Sequence, residues 1–402
     1  TPWGVGVLTG NTANPDLTWE STSSYDVGID LGLFNNRIEL VADAYYKKTE
    51  NLLLQLQLPG FLGSMGQGAA SNPWGNIGSI ENKGIEITLN TTNITNRDFT
   101  WTSNVVFSLN RNKVKDLDTA TSSVEKTFQP SSTEYIVTRT VPGQPIGQFW
   151  GYKVIGRFDE PTDFYRHDAQ GNVVPVAIPE GNTIAESSTW IGDYIYQDTN
   201  GDGVINADDC TFIGNPEPKF TWGFGNTFNY KGFDLNIFFS GAYGNDVLNL
   251  TRMRIEDPRA NSNILASSLN YAVVDVIDPS LPADDYRNLH VVNAGSTTMP
   301  AVQRSDANNN YSRISDLYIE DGSYIRLQNI TFGYTLPKNL VKKAYLQNVR
   351  VYFSAQNVAT WSKYKGLDPE VGAMYGDALM TGLDYGRYPS PRIYTFGLNV
   401  SF

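Results

Sequence analysis

The segment from Asp198 to Asp209 has the residue types and the spacing of a calcium-binding loop. Oxygen-bearing side chains alternate along it, and Gly203 occupies the sixth position, where such loops turn sharply. The predicted ligands are Asp198, Asn200, Asp202, the backbone carbonyl of Val204, Asn206 and Asp209. Because the last position holds Asp instead of the longer Glu, bidentate closure is harder, and weak binding is predicted.

A Gly- and Asp-rich turn without an ion is the alternative interpretation of this loop. The preceding residues Tyr194–Tyr196 are typical of a strand, so the loop does not belong to a helix–loop–helix pair. We therefore expect a structural Ca²⁺ that stiffens a surface loop, with the ion-free turn as its competitor. Trp74, Trp150 and Trp190 also lie in loops, where they either stack on sugar rings or pack beneath their own loops.

No pattern in the chain indicates catalysis. His167 and His290 are the two histidines, and neither lies near a triad or metal-ligand spacing. A Gly-rich phosphate loop and a nucleophile elbow are both missing from the sequence. Asp284-Asp285 is interpreted as solvated loop charge and not as a glycosidase pair. We therefore predict a protein that is not an enzyme, and we assign no substrate-binding residues.

Composition narrows the function classes further. The chain has 402 residues and a net charge of −12, which argues against nucleic-acid binding because that function needs basic patches. It contains no run of 18 apolar residues, so a transmembrane helix is not predicted. Aromatic residues make up 12% of the chain, and Cys210 is its single cysteine, so no internal disulfide can form. The composition favours a β structure.

Segments that alternate apolar and polar residues recur along the whole chain. The last one places Tyr394, Phe396, Leu398, Val400 and Phe402 on one face and small or polar residues on the other. The predicted strands are 24–34, 37–46, 84–93, 99–110, 219–230, 233–240, 323–336, 349–353 and 394–402. In the seventh strand the apolar phase changes, and a β-bulge near Gln328-Asn329 would absorb the change.

Strand length and connection length distinguish two β architectures. A soluble β-sandwich also alternates, with its apolar face inward, but its strands are usually about 5–6 residues long. Strands of the predicted length cross a bilayer when tilted, and the alternation of short and long connections is typical of outer-membrane barrels. The sequence therefore favours an all-β, antiparallel transmembrane barrel. Nine strands are an odd number for such a barrel, so we expect a C-terminal portion of a larger one, in which residues 1–20 end a loop.

Short motifs occur in a fixed order along the chain. They are Asn14-Pro-Asp-Leu-Thr-Trp-Glu20, Leu33-Phe-Asn-Asn-Arg-Ile38, Ile213-Gly-Asn-Pro-Glu-Pro-Lys-Phe-Thr-Trp-Gly223, Tyr230-Lys-Gly-Phe-Asp-Leu235, Ile325-Arg-Leu-Gln-Asn-Ile330, Gly333-Tyr-Thr-Leu-Pro337 and Tyr388-Pro389 through Arg392 to Leu398. In these motifs the chain resembles the C-terminal part of the SusC/RagA-type TonB-dependent outer-membrane transporters, and the resemblance spans essentially all 402 residues.

The resemblance implies a barrel of about 22 strands whose plug lies outside this sequence. It implies import of oligosaccharides or oligopeptides across the outer membrane of a Gram-negative bacterium, energised by TonB through the missing N-terminal part. The implied partners are membrane lipid, a SusD-like surface lipoprotein and a second pair of subunits, in a SusC2D2-type arrangement. The connections 113–217 and 241–321 would be long extracellular loops that face the lipoprotein and the substrate. A secreted β-sandwich that binds or degrades glycans, with a structural calcium loop, is the alternative, and a passive porin is a second one.

Overall fold

The computed structural model describes residues 13–55, 73–117, 123–129, 133–260, 263–303 and 305–402. Parts of the predicted extracellular loops, at 118–122, 130–132, 261–262 and 304, therefore lie outside the described residues, as do the first twelve residues. Among the described residues, no helix has both the length and the apolar character needed to cross a bilayer.

Nine long strands form one antiparallel sheet in which each strand pairs with the next one along the chain. They are β1 (Ser21–Leu33), β2 (Ile38–Glu50), β3 (Ser79–Thr95), β4 (Phe99–Asp116), β5 (Phe220–Tyr230), β6 (Phe233–Tyr243), β7 (Tyr324–Thr335), β8 (Asn348–Ser362) and β9 (Ile393–Ser401). The strands have 9 to 18 residues, and the predicted antiparallel all-β fold is confirmed.

The register of the sheet gathers the apolar side chains of all nine strands on one face. Leu40 of β2 lies opposite Leu31 of β1 and Leu89 of β3, and Val105 continues the row on β4. Thr, Asn, Ser, Gly and acidic residues occupy the other face, because successive side chains of a strand point to opposite sides. A one-residue shift of any pairing would place its whole apolar set on the polar face.

The apolar face of this sheet is not packed against a second sheet. Val27 is 76% exposed, and near the other edge Phe396 is 82% and Leu398 is 61% exposed. In a sandwich these side chains would form the buried core between two layers. The sandwich alternative is therefore wrong, and the exposed face has the alternation of a surface that meets lipid.

The predicted bulge is present in β7. Phe239 of β6 pairs with Leu327, whereas its neighbour Phe238 pairs with Asn329, so Gln328 is the extra residue. The register between β7 and β8 shifts at the same place. The additional residue returns Ile330 to the face that Leu327 occupies, which keeps the apolar face continuous across the phase change.

Short connections join the strands at one end of the sheet. Phe34, Asn35 and Asn36 all have positive φ between β1 and β2, as Lys231 and Gly232 do between β5 and β6. Two of these positions are Asn and one is Gly, the residue types that tolerate this backbone region. Between β7 and β8 the connection contains the helix Lys338–Val341 and the 3₁₀ turn Lys342–Ala344.

The connections at the opposite end fold into a structure of their own, which we call the head (residues 123–217, 244–322 and 363–392 as far as described). β4 continues to Asp116 and β6 to Tyr243, beyond the predicted loop starts at Lys113 and Gly241, because the alternation persists there. The head contains the α-helix Leu250–Glu256. Its 3₁₀ turns are Pro161–Phe164, Ala207–Asp209, Ala266–Leu269, Tyr286–Asn288, Ala294–Ser296, Asp316–Tyr318, Met374–Gly376 and Ala378–Met380.

Short strands complete the head and the base of the β2–β3 connection. Four strands, in the spatial order Thr211–Gly214, Gln148–Gly151, Tyr135–Thr140 and Val124–Phe128, form its largest sheet. The other short strands are Leu53–Gln55, Trp74–Asn76, Val154–Arg157, Tyr165–His167, Val173–Pro175, Ile178–Pro179, Tyr194–Tyr196, Val204–Ile205, Asp246–Asn249, Val274–Val276, Leu289–Val291, Ile319–Asp321 and Leu383–Asp384.

The best-buried hydrophobic residues of the chain lie in the head and not in the nine-stranded sheet. Phe149, Leu248 and Leu383 are at most 3% exposed and belong to one apolar cluster. These residues come from the β4–β5, β6–β7 and β8–β9 connections, respectively. Three connections therefore share one core, which positions them as a unit above the sheet.

Candidate functional site

Carboxylates concentrate on the polar face of the first three strands. They are Asp26, Asp30, Glu39, Asp43 and Glu86. The register places Asp43 directly opposite Glu86 on β3 and Gly28 on β1. Like charges placed opposite each other repel, so this part of the wall presents a strong negative field to the space it encloses.

A charged pair crosses the polar face further along the sheet. Arg350 of β8 donates from Nε to Asp234 Oδ1 of β6 at 2.9 Å, and its Nη2 contacts the other carboxylate oxygen. Gly333 of β7 lies between them, and a Cβ there would collide with both side chains. The absence of a side chain at this position is what allows the pair to span three strands.

Arg326 holds the β8–β9 connection against the polar face. Its side chain is 4% exposed and donates from Nη2 to Asp368 at 2.5 Å and from Nη1 to Glu370 at 2.8 Å. Nε donates to Thr360 Oγ1 of β8 at 3.1 Å. Asp368 also accepts a hydrogen bond from the backbone N–H of Ser390. One buried guanidinium therefore links the wall to both ends of that connection.

A second buried arginine joins the parts of the head to each other. Arg252 donates to Glu256 on its own helix at 2.9 Å and to Glu320 at 2.9 Å. Glu320 accepts from the backbone N–H of Lys365 with its second oxygen, at 2.8 Å. The β6–β7 and β8–β9 connections are thus joined by charge-assisted hydrogen bonds as well as by their shared core.

Asp193 is the centre of a buried polar network in the head. Its carboxylate is fully buried and accepts from Asn310 Nδ2 at 2.7 Å, Gln303 Nε2 at 3.0 Å and the backbone N–H of Trp190 at 2.7 Å. Burial raises the pKa of Asp193 to about 7, although these donors act in the opposite direction. The network connects residues 190–196 to residues 303–311.

A cavity of about 1010 Å³ opens beside this network. Its apolar lining includes Val274, Leu289 and Ala301, and its polar lining includes Glu186, Asp275 and Asp284. Such a concave surface, with a few polar groups around apolar walls, has the general character of a ligand site. Asp285, in contrast, caps the turn Tyr286–Asn288 by accepting from the N–H of Arg287.

Two of the three loop tryptophans pack within the head. Trp190 is 8% exposed and lies in an apolar cluster with Phe158 and Phe164. Trp150 makes an edge contact with Phe212, at 5.0 Å between ring centroids, and the guanidinium of Arg139 lies 4.5 Å from its ring. Their place in the head is thus that of packing residues, whereas Trp74 is 51% exposed.

The predicted calcium loop is a series of side-chain-to-backbone turns. Asp198 accepts from the N–H groups of Gly201 at 2.7 Å and Gly203 at 3.1 Å. Asn200 accepts from the N–H of Asp202, and Asp202 accepts from that of Val204, both at 2.9 Å. Asn206 repeats the pattern with the N–H of Asp208 at 2.8 Å. The alternating oxygens therefore line one loop, but most of them already accept a hydrogen bond.

Asp209 closes this loop. It is fully buried, and its two oxygens accept from the N–H groups of Thr199 at 2.8 Å and Asn206 at 2.9 Å. Arg166 lies 3.6 Å from the Asp198 carboxylate. Within the described ranges, no group of three or more His, Cys, Asp or Glu side chains is arranged to hold a metal ion. Calcium binding at Asp198, Asn200, Asp202, Val204, Asn206 and Asp209 stays a prediction.

Comparisons with known proteins agree with this architecture. A family model described as TonB dependent receptor-like, beta-barrel matches residues 2–179. TonB-dependent receptor P3 of Formosa agariphila is 35% identical over 99% of this chain, and TonB-dependent receptor SusC of Bacteroides thetaiotaomicron is 26% identical over 97%. The structure of the RagAB peptide transporter superposes with a TM-score of 0.70 at 23% identity, covering 97% of this chain.

The chain spans about a third of the length of these proteins: 36% of P3, 32% of SusC and 36% of the RagAB chain. The long alternating strands, the exposed apolar face and the short and long connections are the features of an outer-membrane barrel. The chain therefore belongs to the β-barrel part of the SusC/RagA-type TonB-dependent receptors, which are outer-membrane proteins of Gram-negative bacteria.

Proposed function

We propose that this chain forms part of the wall and mouth of a TonB-energised importer of oligosaccharides or oligopeptides. The carrying observation is the division of one sheet into a continuous apolar face and a continuous polar face, with a folded head above its long-connection end. The polar face lines the transport path, and the head forms the entrance. In this proposal the chain binds and guides its substrate and performs no catalysis.

The names of relatives support the two substrate classes. SusC is a named relative of this chain, and the structural neighbour RagAB is titled a peptide transporter. Charged and amide side chains on the polar face, together with the cavity beside Trp190, offer hydrogen-bonding groups to either class. We propose a SusD-like surface lipoprotein as the partner that docks on the head, in a dimer of such pairs. TonB would act through a part of the receptor outside this chain.

Uptake by intact cells tests the proposal. In a strain that lacks the full-length receptor gene, we expect uptake of one labelled pool, oligosaccharides or oligopeptides, to fall to background and to return with the wild-type gene. A TonB deletion should abolish the same uptake. The full-length receptor purified in mild detergent should also retain a surface lipoprotein. Unchanged uptake of both pools in the deletion strain would contradict the transport proposal.

We also propose a structural Ca²⁺ in the Asp198–Asp209 loop, supported by three successive side-chain oxygens that line it at Asp198, Asn200 and Asp202. We expect Asp202→Asn to weaken terbium or calcium binding to the full-length receptor by about tenfold, because one negative ligand is lost. Asp168→Asn is the matched control, since Asp168 forms a similar turn outside the loop. Equal binding by both variants would favour the ion-free turn.

A further inference from the structure

The outer face of β2, β3 and β4 changes from apolar to cationic within one residue pair. The apolar set ends at Tyr46 on β2, Ile85 on β3 and Leu109 on β4. The next side chains on the same face, two residues further toward the head, are Lys48, Lys83 and Arg111, as period-two alternation requires. Lys113 and Lys115 follow on β4. We call these five residues the cationic belt.

The register brings the belt together across the strands. Lys83 lies opposite both Tyr46 and Arg111, and Glu81 lies opposite Lys48 and Lys113. Glu50 and Glu81 are the two carboxylates in the same patch, so five cations face two anions. This excess of positive charge occurs in a chain whose net charge is −12. A mixed solvated surface would not concentrate one sign in this way.

The anions of the patch are already used by part of the belt. Lys48 contacts Glu50 at 2.5 Å, and Lys115 lies 3.4 Å from Glu81. Arg111 donates to the backbone carbonyls of Asn110 at 2.6 Å and Lys219 at 2.9 Å, which fixes its position without neutralising it. Lys83 and Lys113 are exposed, and neither forms an ion pair within the part of the chain that the structure describes.

The belt borders the apolar face at the end that carries the head. Long connections of outer-membrane barrels face the outside of the cell, so the belt lies at the level of the outer-leaflet headgroups. Basic side chains directly beside a membrane-embedded surface attract anionic lipid headgroups. A phosphorylated glycolipid satisfies both parts of this surface, since its acyl chains can lie along Ile85 and Leu109 while its phosphates meet Lys83 and Lys113.

We propose that the cationic belt is a docking site for the phosphate groups of lipopolysaccharide in the outer leaflet. The site uses the continuity of the charged patch with the lipid-facing surface, and it does not depend on which substrate is imported or on which lipoprotein binds the head. Lys83 and Lys113 are the phosphate ligands, and Arg111 adds a fixed positive charge beside them.

Binding of purified lipopolysaccharide to the delipidated full-length receptor in detergent tests this site. We expect the double variant Lys83→Gln/Lys113→Gln to bind about 30-fold more weakly, because each lost lysine removes roughly a fivefold contribution. Lys47→Gln is the matched control, since Lys47 belongs to the same region of β2 but lies on the polar face. Lys83→Arg/Lys113→Arg keeps both charges and should bind like the unchanged receptor.

Ligand controls separate the phosphate from the rest of the lipid. Enzymatically dephosphorylated lipopolysaccharide should bind the unchanged receptor as weakly as the intact lipid binds the double variant. Inorganic phosphate alone should not compete at millimolar concentration, because it lacks the acyl chains. Equal affinity for both forms of the lipid, or equal affinity of the double variant and Lys47→Gln, would overturn the proposal. Heat-modifiable migration in a gel verifies that each variant is folded.

Discussion

Replacing Arg326 by Met is expected to lower the free energy of unfolding of the full-length receptor by about 3–5 kcal/mol. Arg326 is 4% exposed, and its loss leaves the carboxylate of Asp368, which is 9% exposed, without its cation. Two backbone N–H groups remain as its partners, those of Glu370 and Ser390. Urea titration of the receptor in lipid vesicles, monitored by tryptophan fluorescence, measures the change.

Two companion variants separate the burial of this pair from its charge. Arg350→Met breaks the pair with Asp234, but both side chains are 25% exposed, so we expect a loss of only about 1 kcal/mol. The double variant Arg326→Met/Asp368→Leu removes both buried charges and should recover most of the stability, since no uncompensated ion remains. A double variant as unstable as Arg326→Met alone would show that packing, and not the uncompensated charge, dominates.

Replacing Leu89 by Arg is expected to destabilise the barrel in a bilayer by about 2–4 kcal/mol, which is the cost of a cation near the bilayer midplane. Leu89 lies in the middle of the apolar face, between Leu40 of β2 and Val105 of β4. The cost arises from lipid, so it should shrink when the same variant is measured in a short-chain detergent that hydrates the arginine. Reversible folding into vesicles measures both values.

Asn90→Arg is the matched control, because Asn90 is the next residue of β3 and lies on the polar face. It is exposed, and its amide oxygen accepts a hydrogen bond from Asn104. We expect its free energy of unfolding to change by about 1 kcal/mol or less, which is the value of one ordinary hydrogen bond. Equal effects of the two substitutions would contradict the assignment of the two faces.

The strands of the sheet could be predicted because their signal is local. Alternation in a window of about ten residues is enough to locate β1 to β9 and to detect the bulge at Gln328, where the apolar phase changes. Motifs such as Tyr230-Lys-Gly-Phe-Asp-Leu235 add the family for the same reason, since each is contiguous. The short turns follow from Asn35, Asn36 and Gly232, whose types match the positive φ values.

The head could not be predicted, since its contacts join residues that are distant in the chain. Arg326 and Asp368 are 42 residues apart, and Asn310 and Asp193 are 117 apart, with no periodicity that relates them. The connections of the head were interpreted as loops because their strands are 2 to 6 residues long, too short for alternation to be visible. Buried Arg and Asp residues in such segments are the one available signal, and it does not identify the partners.

The sequence by itself determined which side of each long strand is apolar, because side-chain direction alternates with every residue whatever the surroundings. It determined the candidate ligand spacing of the Asp198–Asp209 loop as well. Only the tertiary structure decided which residues those faces bring together: the belt of Lys83 and Lys113 and the link from Arg326 to Asp368. These arrangements depend on strand register and on packing between distant segments, which no local window contains.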